Sequence, residues 1–219
     1  YGELTRKAAD EGAQLIVWPE TAITDNRYVS VVSELADALD VYILFGCFDY
    51  GPQGPQNILC LTTPEGAVSE ISYAKRHLVP FGEYVPMRKF IMTVFPPLAE
   101  IAMLSEDLIP GEGSELYEIE INGEIITVGG LICFDSIYEQ LAYATASDGA
   151  DLICVATNDS WFEDSRAVYM HCAQSRLRAI ETGLPIVRAA NTGISATITP
   201  HGEVTESIEP LIDGYIVSE

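Results

Sequence analysis

Residues 15–48, LIVWPETAITDNRYVSVVSELADALDVYILFGCF, decide the fold class of this chain. The stretch opens with the apolar run 15–18 and closes with the apolar run 41–48, and both have the length and composition of buried strands. Between the two runs, 28–39 is predicted to be a helix, because its apolar residues share one face: Val31, Val32, Leu35, Ala36 and Leu39. Strands that alternate with helices in this way indicate an α/β sheet.

The same alternation returns in the second half of the chain. The apolar pattern there predicts helices over 138–147 and 167–182, and strands over 152–157 and 186–190. Three hairpins are predicted as well: 57–62 with 68–74, 116–121 with 124–132, and 196–199 with 203–208. The chain contains no internal repeat and no linker, so we expect one domain over 1–219.

Length and charge limit the classes of protein to which the chain can belong. It has 219 residues, 48% of them apolar and 20% charged, which is typical of a globular domain. Its 11 Lys and Arg against 33 Asp and Glu give a net charge of −22, which repels nucleic acid, so no such partner is expected. Most of the basic residues fall in 75–89 and 166–188, where they either pair with surplus acids or serve an anionic site.

The five cysteines predict neither a disulfide framework nor a metal site. Their number is odd, no CxxC pair occurs, and no histidine stands at metal-ligand spacing, so we expect mostly buried thiols, no metal and no cofactor. No run of 18 apolar residues occurs. The first residues, YGELTRK, resemble neither a signal peptide nor a natural start, so we expect the chain to be a piece of a longer protein.

Residues 76–114 depart from the regular pattern. They contain five prolines and no clear period, and loops of that length are usually functional or mobile. The apolar part, 90–104, carries the single charge of Glu100 and is too short to span a bilayer. We expect an apolar loop or arm over 87–114 that lies on a membrane or covers a pocket. The alternative is a pair of short core helices broken at Pro96 and Pro97.

Polar side chains follow four of the predicted strands at the point where each strand ends. Glu20, Lys75, Cys133 and Asn158 each come directly or almost directly after an apolar run. The carboxyl ends of strands in α/β sheets are where sites are built, so a carboxylate, an ammonium and a thiol can meet at one edge. Such a trio suffices for covalent catalysis, with the thiol as nucleophile, the carboxylate as base and the ammonium as oxyanion stabiliser.

Each of these residues also has a structural interpretation. A cysteine after an apolar run is usually a core thiol, and Cys154, whose strand continues past it, fits that description. Cys133 differs because polar residues follow it at once. His77, His171 and His201 stand far apart in sequence and are interpreted as packing or surface histidines rather than general bases.

Longer strings of the sequence resemble a known family. WPETA at 18–22, YAKRHLVPFGEYVP at 73–86 and GLIC at 130–133 resemble the Glu-Lys-Cys motifs of the nitrilase (carbon–nitrogen hydrolase) superfamily. HLVPFGEYVP, with NDSWF at 158–162, RAIE at 178–181 and RAANTGIS at 188–195, is similar to the catalytic domain of the apolipoprotein N-acyltransferases. The resemblance extends from about residue 15 to residue 204.

This resemblance implies a fold, a reaction and a location. The fold is an α/β/β/α sandwich, here lacking its first strand. The reaction moves an acyl chain from a phospholipid, through a cysteine thioester, to the N-terminal amine of a diacylglyceryl-cysteine lipoprotein. Members hold the domain on the extracytoplasmic side of the bacterial cytoplasmic membrane, through transmembrane segments that this chain does not contain.

The resemblance also assigns roles to residues. It makes Glu20 the base, Lys75 the oxyanion stabiliser, Cys133 the nucleophile and Glu83 a supporting carboxylate. Residues that bind substrate or support the site are Phe134, Asp135, Asn158 and Trp161. The sequence departs from the family at Phe134-Asp135, where Tyr-Glu is usual, and at Glu163, where Gly is usual.

Two other functions stay open at this point. A soluble nitrilase-type amidase would use the same three groups but pass its thioester to water. A binding or scaffold domain would keep the fold without the chemistry, although the complete Glu20, Lys75 and Cys133 set argues against it.

Overall fold

The computed structural model describes residues 1–94 and 106–218. The described part contains five helices: α1 (Gly2–Asp10), α2 (Val29–Leu39), α3 (Arg88–Val94), α4 (Glu139–Ser147) and α5 (Arg166–Thr182). It contains ten strands: β1 (Leu15–Val17), β2 (Tyr42–Gly51), β3 (Gly54–Thr62), β4 (Val68–Ala74), β5 (Leu116–Ile121), β6 (Glu124–Ile132), β7 (Leu152–Asn158), β8 (Ile186–Asn191), β9 (Ser195–Ile198) and β10 (Val204–Ile208).

The strands form two sheets. The first has the order β1-β2-β3-β4, and only its β1–β2 pair is parallel. The second has the order β10-β9-β8-β7-β6-β5, with a parallel centre of β6, β7 and β8 between antiparallel edges. Parallel strands need a crossover connection, and α4 and α5 supply the two that join β6, β7 and β8.

The two sheets pack face to face and each carries helices on its outer side. One apolar core joins residues of the first sheet, such as Leu44 and Leu59, to residues of the second, such as Leu131 and Ile153. A second core holds α2 against the first sheet through Val32, Leu35, Ile43 and Phe45. Helices α4 and α5 contact the second sheet. The layers therefore confirm the predicted α/β/β/α sandwich, whereas a missing first strand stays a prediction.

The sequence analysis missed one hairpin. Strand β2 was predicted to end at Phe48, but it continues to Gly51, turns at Pro52-Gln53 and returns as β3 from Gly54. The end of β2 is exposed and carries Asp49 and Tyr50, so it lacks the apolar signal of the buried part of the strand. The three predicted hairpins are present: 116–121 with 124–132 has the predicted bounds, and the other two differ by one to three residues at some of their ends.

Residues 95–105 of the expected arm over 87–114 lie outside the described residues. Residues 87–94, which include α3, and 106–114 are described, whereas the predicted break at Pro96-Pro97 is not. Met87 and Phe90 are exposed at 73% and 57%. Within 1–94 and 106–218, none of the helices has both the length and the apolar character that a bilayer crossing requires.

Candidate active site

Three of the predicted strand-end residues meet between the two sheets. Glu20 follows β1, Lys75 follows β4 and Cys133 follows β6. All three are buried, with relative exposures of 5%, 1% and 8%. The Lys75 ammonium donates to Glu20 Oε1 at 3.0 Å and to Glu83 Oε1 at 2.8 Å. The ammonium therefore lies between two carboxylates.

Both carboxylates are held by further donors. Asn57 Nδ2 donates to Glu20 Oε1 at 2.7 Å and, over 3.4 Å, to Glu83 Oε1. The backbone N–H of Asn158 donates to Glu20 Oε2 at 2.8 Å, and that of Val79 donates to Glu83 Oε2 at 2.8 Å. Each carboxylate therefore has hydrogen-bond donors besides Lys75.

The backbone around Glu20 rests on a glycine of β2. A Cβ atom at Gly46 would lie 2.7 Å from the Pro19 carbonyl oxygen, 2.7 Å from Glu20 Cα and 2.6 Å from the Thr21 nitrogen. Side-chain carbons essentially never approach backbone that closely. Glycine at position 46 thus lets the Glu20 segment lie directly against the sheet.

Cys133 begins a 3-10 turn, Cys133–Ile137, and has a left-handed backbone with φ of 47°. This conformation is unfavourable for a residue with a side chain, so the surroundings must enforce it. Its carbonyl oxygen accepts from Ser136 Oγ at 2.7 Å and lies 3.2 Å from His171 Nε2. These contacts hold the turn that presents the sulfur.

Burial and charge set the protonation of the central groups. Burial opposes the charge on Lys75, but the nearby Glu20, Cys133 and Glu83 outweigh it and raise the Lys75 pKa. Burial and the Glu20 charge raise the pKa of Cys133 to about 12, against the opposing effects of Lys75 and a hydrogen bond with Thr157. At neutral pH the site therefore holds a charged ammonium and a neutral thiol. A thiolate forms there only when a nearby group takes the proton, and the Glu20 carboxylate, whose charge acts on the Cys133 pKa, is the candidate for that group.

The other predicted site residues lie around this centre. The Asp135 carboxylate is fully buried and accepts from Tyr73 Oη at 2.9 Å and from the His77 backbone N–H at 2.7 Å. Burial raises the Asp135 pKa against these donors. Because Asp135 bonds the segment that follows β4, its contacts are those of a supporting residue.

The aromatic residues and Asn158 have different surroundings. The Phe134 ring meets Tyr138 edge-on, with centroids 5.4 Å apart. Trp161 is 57% exposed. The Asn158 side-chain oxygen accepts from the Ser160 N–H and from Asn191 Nδ2, both at 3.2 Å, so its side chain fixes the loop after β7 while its backbone bonds Glu20.

A second buried polar network lies behind Cys133, and the sequence analysis missed it. Asp159 accepts from Thr157 Oγ1 at 2.9 Å and from Arg188 Nη2 at 2.8 Å, and its Oδ1 lies 2.8 Å from His171 Nδ1. Burial opposes the Asp159 charge, but its bond with His171 and the charge of Arg188 lower the pKa. His171 is buried, as a packing histidine would be, yet it contacts the predicted nucleophile.

Sequence offered little signal for these residues. Asn57 lies within β3 and Thr157 is the last residue but one of β7. Asn57 contacts Glu20, which is far away along the chain. His171 lies mid-helix in α5 without a metal-ligand spacing. Only the folded topology shows that they belong to the site.

Cys133, Asp159 and His171 also form the one group of potential metal ligands found among the described residues. Their sulfur, oxygen and nitrogen atoms lie within 4.8 Å of one another. However, both ring nitrogens of His171 already have partners, and Arg188 is bound to Asp159. A metal ion would have to displace these bonds, so the arrangement suits a hydrogen-bonded network better.

Several basic residues of the two sequence windows pair with acids. Arg88 binds Asp107, Arg178 binds Glu181, and Arg188 binds Asp159. Lys75 binds two acids at the centre of the site. Arg88, Arg178 and Arg188 therefore fit the pairing interpretation, whereas the acids that Lys75 binds belong to the candidate site itself.

Sequence comparison finds relatives that are similar over the whole chain or nearly all of it. The chain is 36% identical to an apolipoprotein N-acyltransferase of Geobacter metallireducens, over 100% of this chain and 42% of that protein. It is 32% identical to an apolipoprotein N-acyltransferase of Brucella suis, over 98% of this chain and 42% of that protein. The chain thus spans about two fifths of the length of these curated relatives.

Comparison of structures identifies the fold. An amidase from Nesterenkonia sp. superposes with a TM-score of 0.70 at 20% identity, over 95% of this chain and 78% of that chain. Residues 2–218 match the family model of the carbon–nitrogen hydrolases. With the nitrilase-superfamily fold and a match over nearly its whole length, this chain belongs to the carbon–nitrogen hydrolase family.

Proposed function

We propose that the chain is the catalytic domain of a lipoprotein N-acyltransferase that takes its acyl chain from a phospholipid. The similarity to apolipoprotein N-acyltransferases over the full chain carries this proposal. The buried Glu20, Lys75 and Cys133 supply the chemistry, but on their own they would serve an amidase equally well.

The first half of the reaction would form a thioester. Glu20 takes the thiol proton while the Cys133 sulfur attacks the ester carbonyl of the phospholipid. Lys75 donates to the oxyanion. Glu83 holds the Lys75 ammonium in position, and Asn57 holds the Glu20 carboxylate. Positioned donors of this kind stabilise such intermediates by roughly 3 kcal/mol each. The carbon–oxygen bond then breaks, and Glu20 returns the proton to the departing lysophospholipid.

The second half would pass the acyl group to an amine. The N-terminal amine of a diacylglyceryl-cysteine lipoprotein attacks the thioester carbonyl, and Glu20 accepts a proton from that amine. The carbon–sulfur bond breaks, and the sulfur recovers a proton. The product is an amide, and the thiol is restored.

Exposed apolar side chains that follow the Glu83 segment along the chain support a lipid donor. Met87, Phe90 and Val94 are exposed on and before α3, which follows the Glu83 segment. Exposed apolar area is unfavourable in water by roughly 25 cal/mol per Å², so it usually meets an apolar partner. We propose that the arm over 87–114 rests on a membrane and admits an acyl chain to Cys133.

The location follows from the same proposal. The domain would act on the extracytoplasmic face of the bacterial cytoplasmic membrane, within a longer protein that holds it there. The share of the relatives that the chain covers, 42%, leaves room for such membrane segments in a protein of their length. Its partners would be the phospholipid donor and the lipoprotein acceptor.

The amidase is the alternative that the structural neighbours favour. Their similarity is at the level of the fold, at 20% identity. The two functions differ in the group that leaves when the thioester forms and in the molecule that then accepts the acyl group. We would incubate the chain with phospholipid vesicles and a diacylglyceryl-cysteine peptide, and separately with small amides. The proposal expects acylated peptide that depends on Cys133, whereas ammonia release from small amides without peptide acylation would contradict it.

A further inference from the structure

We propose that Cys47 and Cys60 form a second thiol site, which a disulfide compound converts into an intramolecular disulfide bond. The two side chains lie on neighbouring strands, Cys47 on β2 and Cys60 on β3. Their sulfur atoms are 3.4 Å apart and in hydrogen-bond contact. Within 1–94 and 106–218, this is the one pair of thiols in such contact.

The register of the two strands places both thiols on the same face of the first sheet. Cys47 is paired with Ile58 and Cys60 with Phe45, so the two cysteines are diagonal neighbours. Paired residues share a face of a sheet, and so do residues two positions apart along a strand. Both cysteines belong to the apolar core that holds α2 against this sheet, with Cys60 at its border. Cys133 belongs to the other core, between the sheets, so the pair is separate from the candidate active site.

The two thiols differ in exposure, and this sets the order of the reaction. Cys47 is 2% exposed, whereas Cys60 is partly exposed. The Cys60 sulfur therefore attacks the disulfide compound first, which forms a mixed disulfide and releases one thiol. The Cys47 sulfur then attacks the Cys60 sulfur of that mixed disulfide and releases a second thiol. The two thiol protons leave with the released thiols, and the disulfide compound takes up the two electrons.

The bond requires a short approach of the two sulfur atoms. They are 3.4 Å apart, and a disulfide bond is about 2.0 Å long, so they must move closer by about 1.4 Å. Rotation of the two side chains moves the sulfur atoms, and a small shift of β2 toward β3 supplies the remainder. The other buried thiols lack such a partner: Cys154, for example, is 0% exposed and has no sulfur contact among the described residues.

The cross-link would fasten together the two strands that support Glu20. Gly46, the residue before Cys47, gives the Glu20 segment room to lie against β2. Asn57, three positions before Cys60, donates to the Glu20 carboxylate. An extracytoplasmic compartment is one in which disulfides form and persist, and that location is the part of the inference that rests on the proposed function.

The test treats the reduced, folded chain with glutathione disulfide and reads the peptides by mass spectrometry without reduction. The peptides of Cys47 and Cys60 should be joined, with the loss of two hydrogen atoms and with no glutathione retained. In Cys47→Ala the second step is impossible, so glutathione should stay on Cys60. In Cys60→Ala the buried Cys47 should remain a free thiol. The matched control is Cys154→Ala, which should form the same cross-link as the natural chain.

A natural chain that keeps glutathione on Cys60, or in which neither thiol reacts, would overturn the proposal. A disulfide from either thiol to Cys133 or to a second copy of the chain would overturn it as well. If Cys47→Ala fails to fold by circular dichroism, Cys47→Ser replaces it and the same adduct on Cys60 decides. The reaction needs neither phospholipid nor lipoprotein. Failure of the acyltransferase proposal would therefore appear separately, as a normal cross-link without acyl transfer.

Discussion

Replacing Glu20 with Gln should change two reactions of Cys133 in opposite directions. On the proposed function, acyl transfer should fall by two orders of magnitude or more, because the site loses the group that we propose takes the thiol proton. Simple alkylation of Cys133 should instead become faster. The Glu20 charge raises the pKa of Cys133, which is about 12, and the substitution removes that charge.

The size of the second effect follows from the charges in the site. A single charge within about 4–6 Å typically shifts a pKa by 1–3 units. Part of that shift is screened, so we expect the Cys133 pKa to fall by about 1–2 units. At pH 8 nearly all of the sulfur is still protonated, and the thiolate fraction, with the labelling rate, should rise roughly 10- to 100-fold. The labelling rate should be higher in the variant at every pH below the Cys133 pKa.

The substitution should leave the fold intact at a modest loss of stability. Gln can keep Oε1 toward Lys75 and Asn57, but its amide group then faces the Asn158 N–H that Glu20 Oε2 accepts. One lost bond to a charged acceptor costs about 1–3 kcal/mol. Urea unfolding measures this loss, and labelling is compared only under conditions where the variant is folded.

Glu83→Gln is the matched control. It also removes a charge from beside Lys75, but Glu83 is not among the groups with the largest effects on the Cys133 pKa. Labelling of this variant by iodoacetamide should change less than labelling of Glu20→Gln. Slower alkylation in Glu20→Gln at every pH would refute the electrostatic account and would mean that Glu20 assists even this reaction as a base.

Three further substitutions test other parts of the structure. Lys75→Met leaves the Glu20 and Glu83 carboxylates buried without their shared cation, so urea unfolding should show a loss of about 3–5 kcal/mol; a loss below 1 kcal/mol would contradict the buried pairing. Gly46→Ala pushes the Glu20 segment off β2, so kcat should fall and stability should drop by about 1–3 kcal/mol, and a variant with natural kcat would show that the close contact is unimportant. Replacing Met87 and Phe90 with Ser should weaken acylation from phospholipid vesicles severalfold while iodoacetamide labels Cys133 at the natural rate; a variant that unfolds would place these side chains in the core instead.

The strand-end residues could be predicted because their signal is local. Glu20, Lys75 and Cys133 each follow an apolar run, and parallel or neighbouring strands bring their ends together. The alternation of helices and strands likewise predicted an α/β sheet, whereas the two-sheet sandwich was implied by the family resemblance. The end of β2 could not be predicted in the same way, because an exposed strand end has no buried face to mark it.

The supporting residues escaped prediction for a different reason. Asn57 contacts Glu20 across 37 positions of sequence, and His171 contacts the Cys133 carbonyl across 38. Neither contact leaves a spacing or a periodicity in the chain. Thr157 is a polar residue at the end of a buried strand, and its neighbours become known only from the register of β6 and β7.

The most direct test of the central claim is mass spectrometry of the chain after incubation with phosphatidylethanolamine vesicles. The proposal predicts a gain of one acyl chain on the Cys133 peptide, removed by hydroxylamine as a thioester is, and absent from Cys133→Ala. Adding a diacylglyceryl-cysteine peptide should discharge the thioester and yield acylated peptide. A folded chain whose Cys133 reacts with iodoacetamide but gains no acyl chain, or gains one on another residue, would contradict the claim.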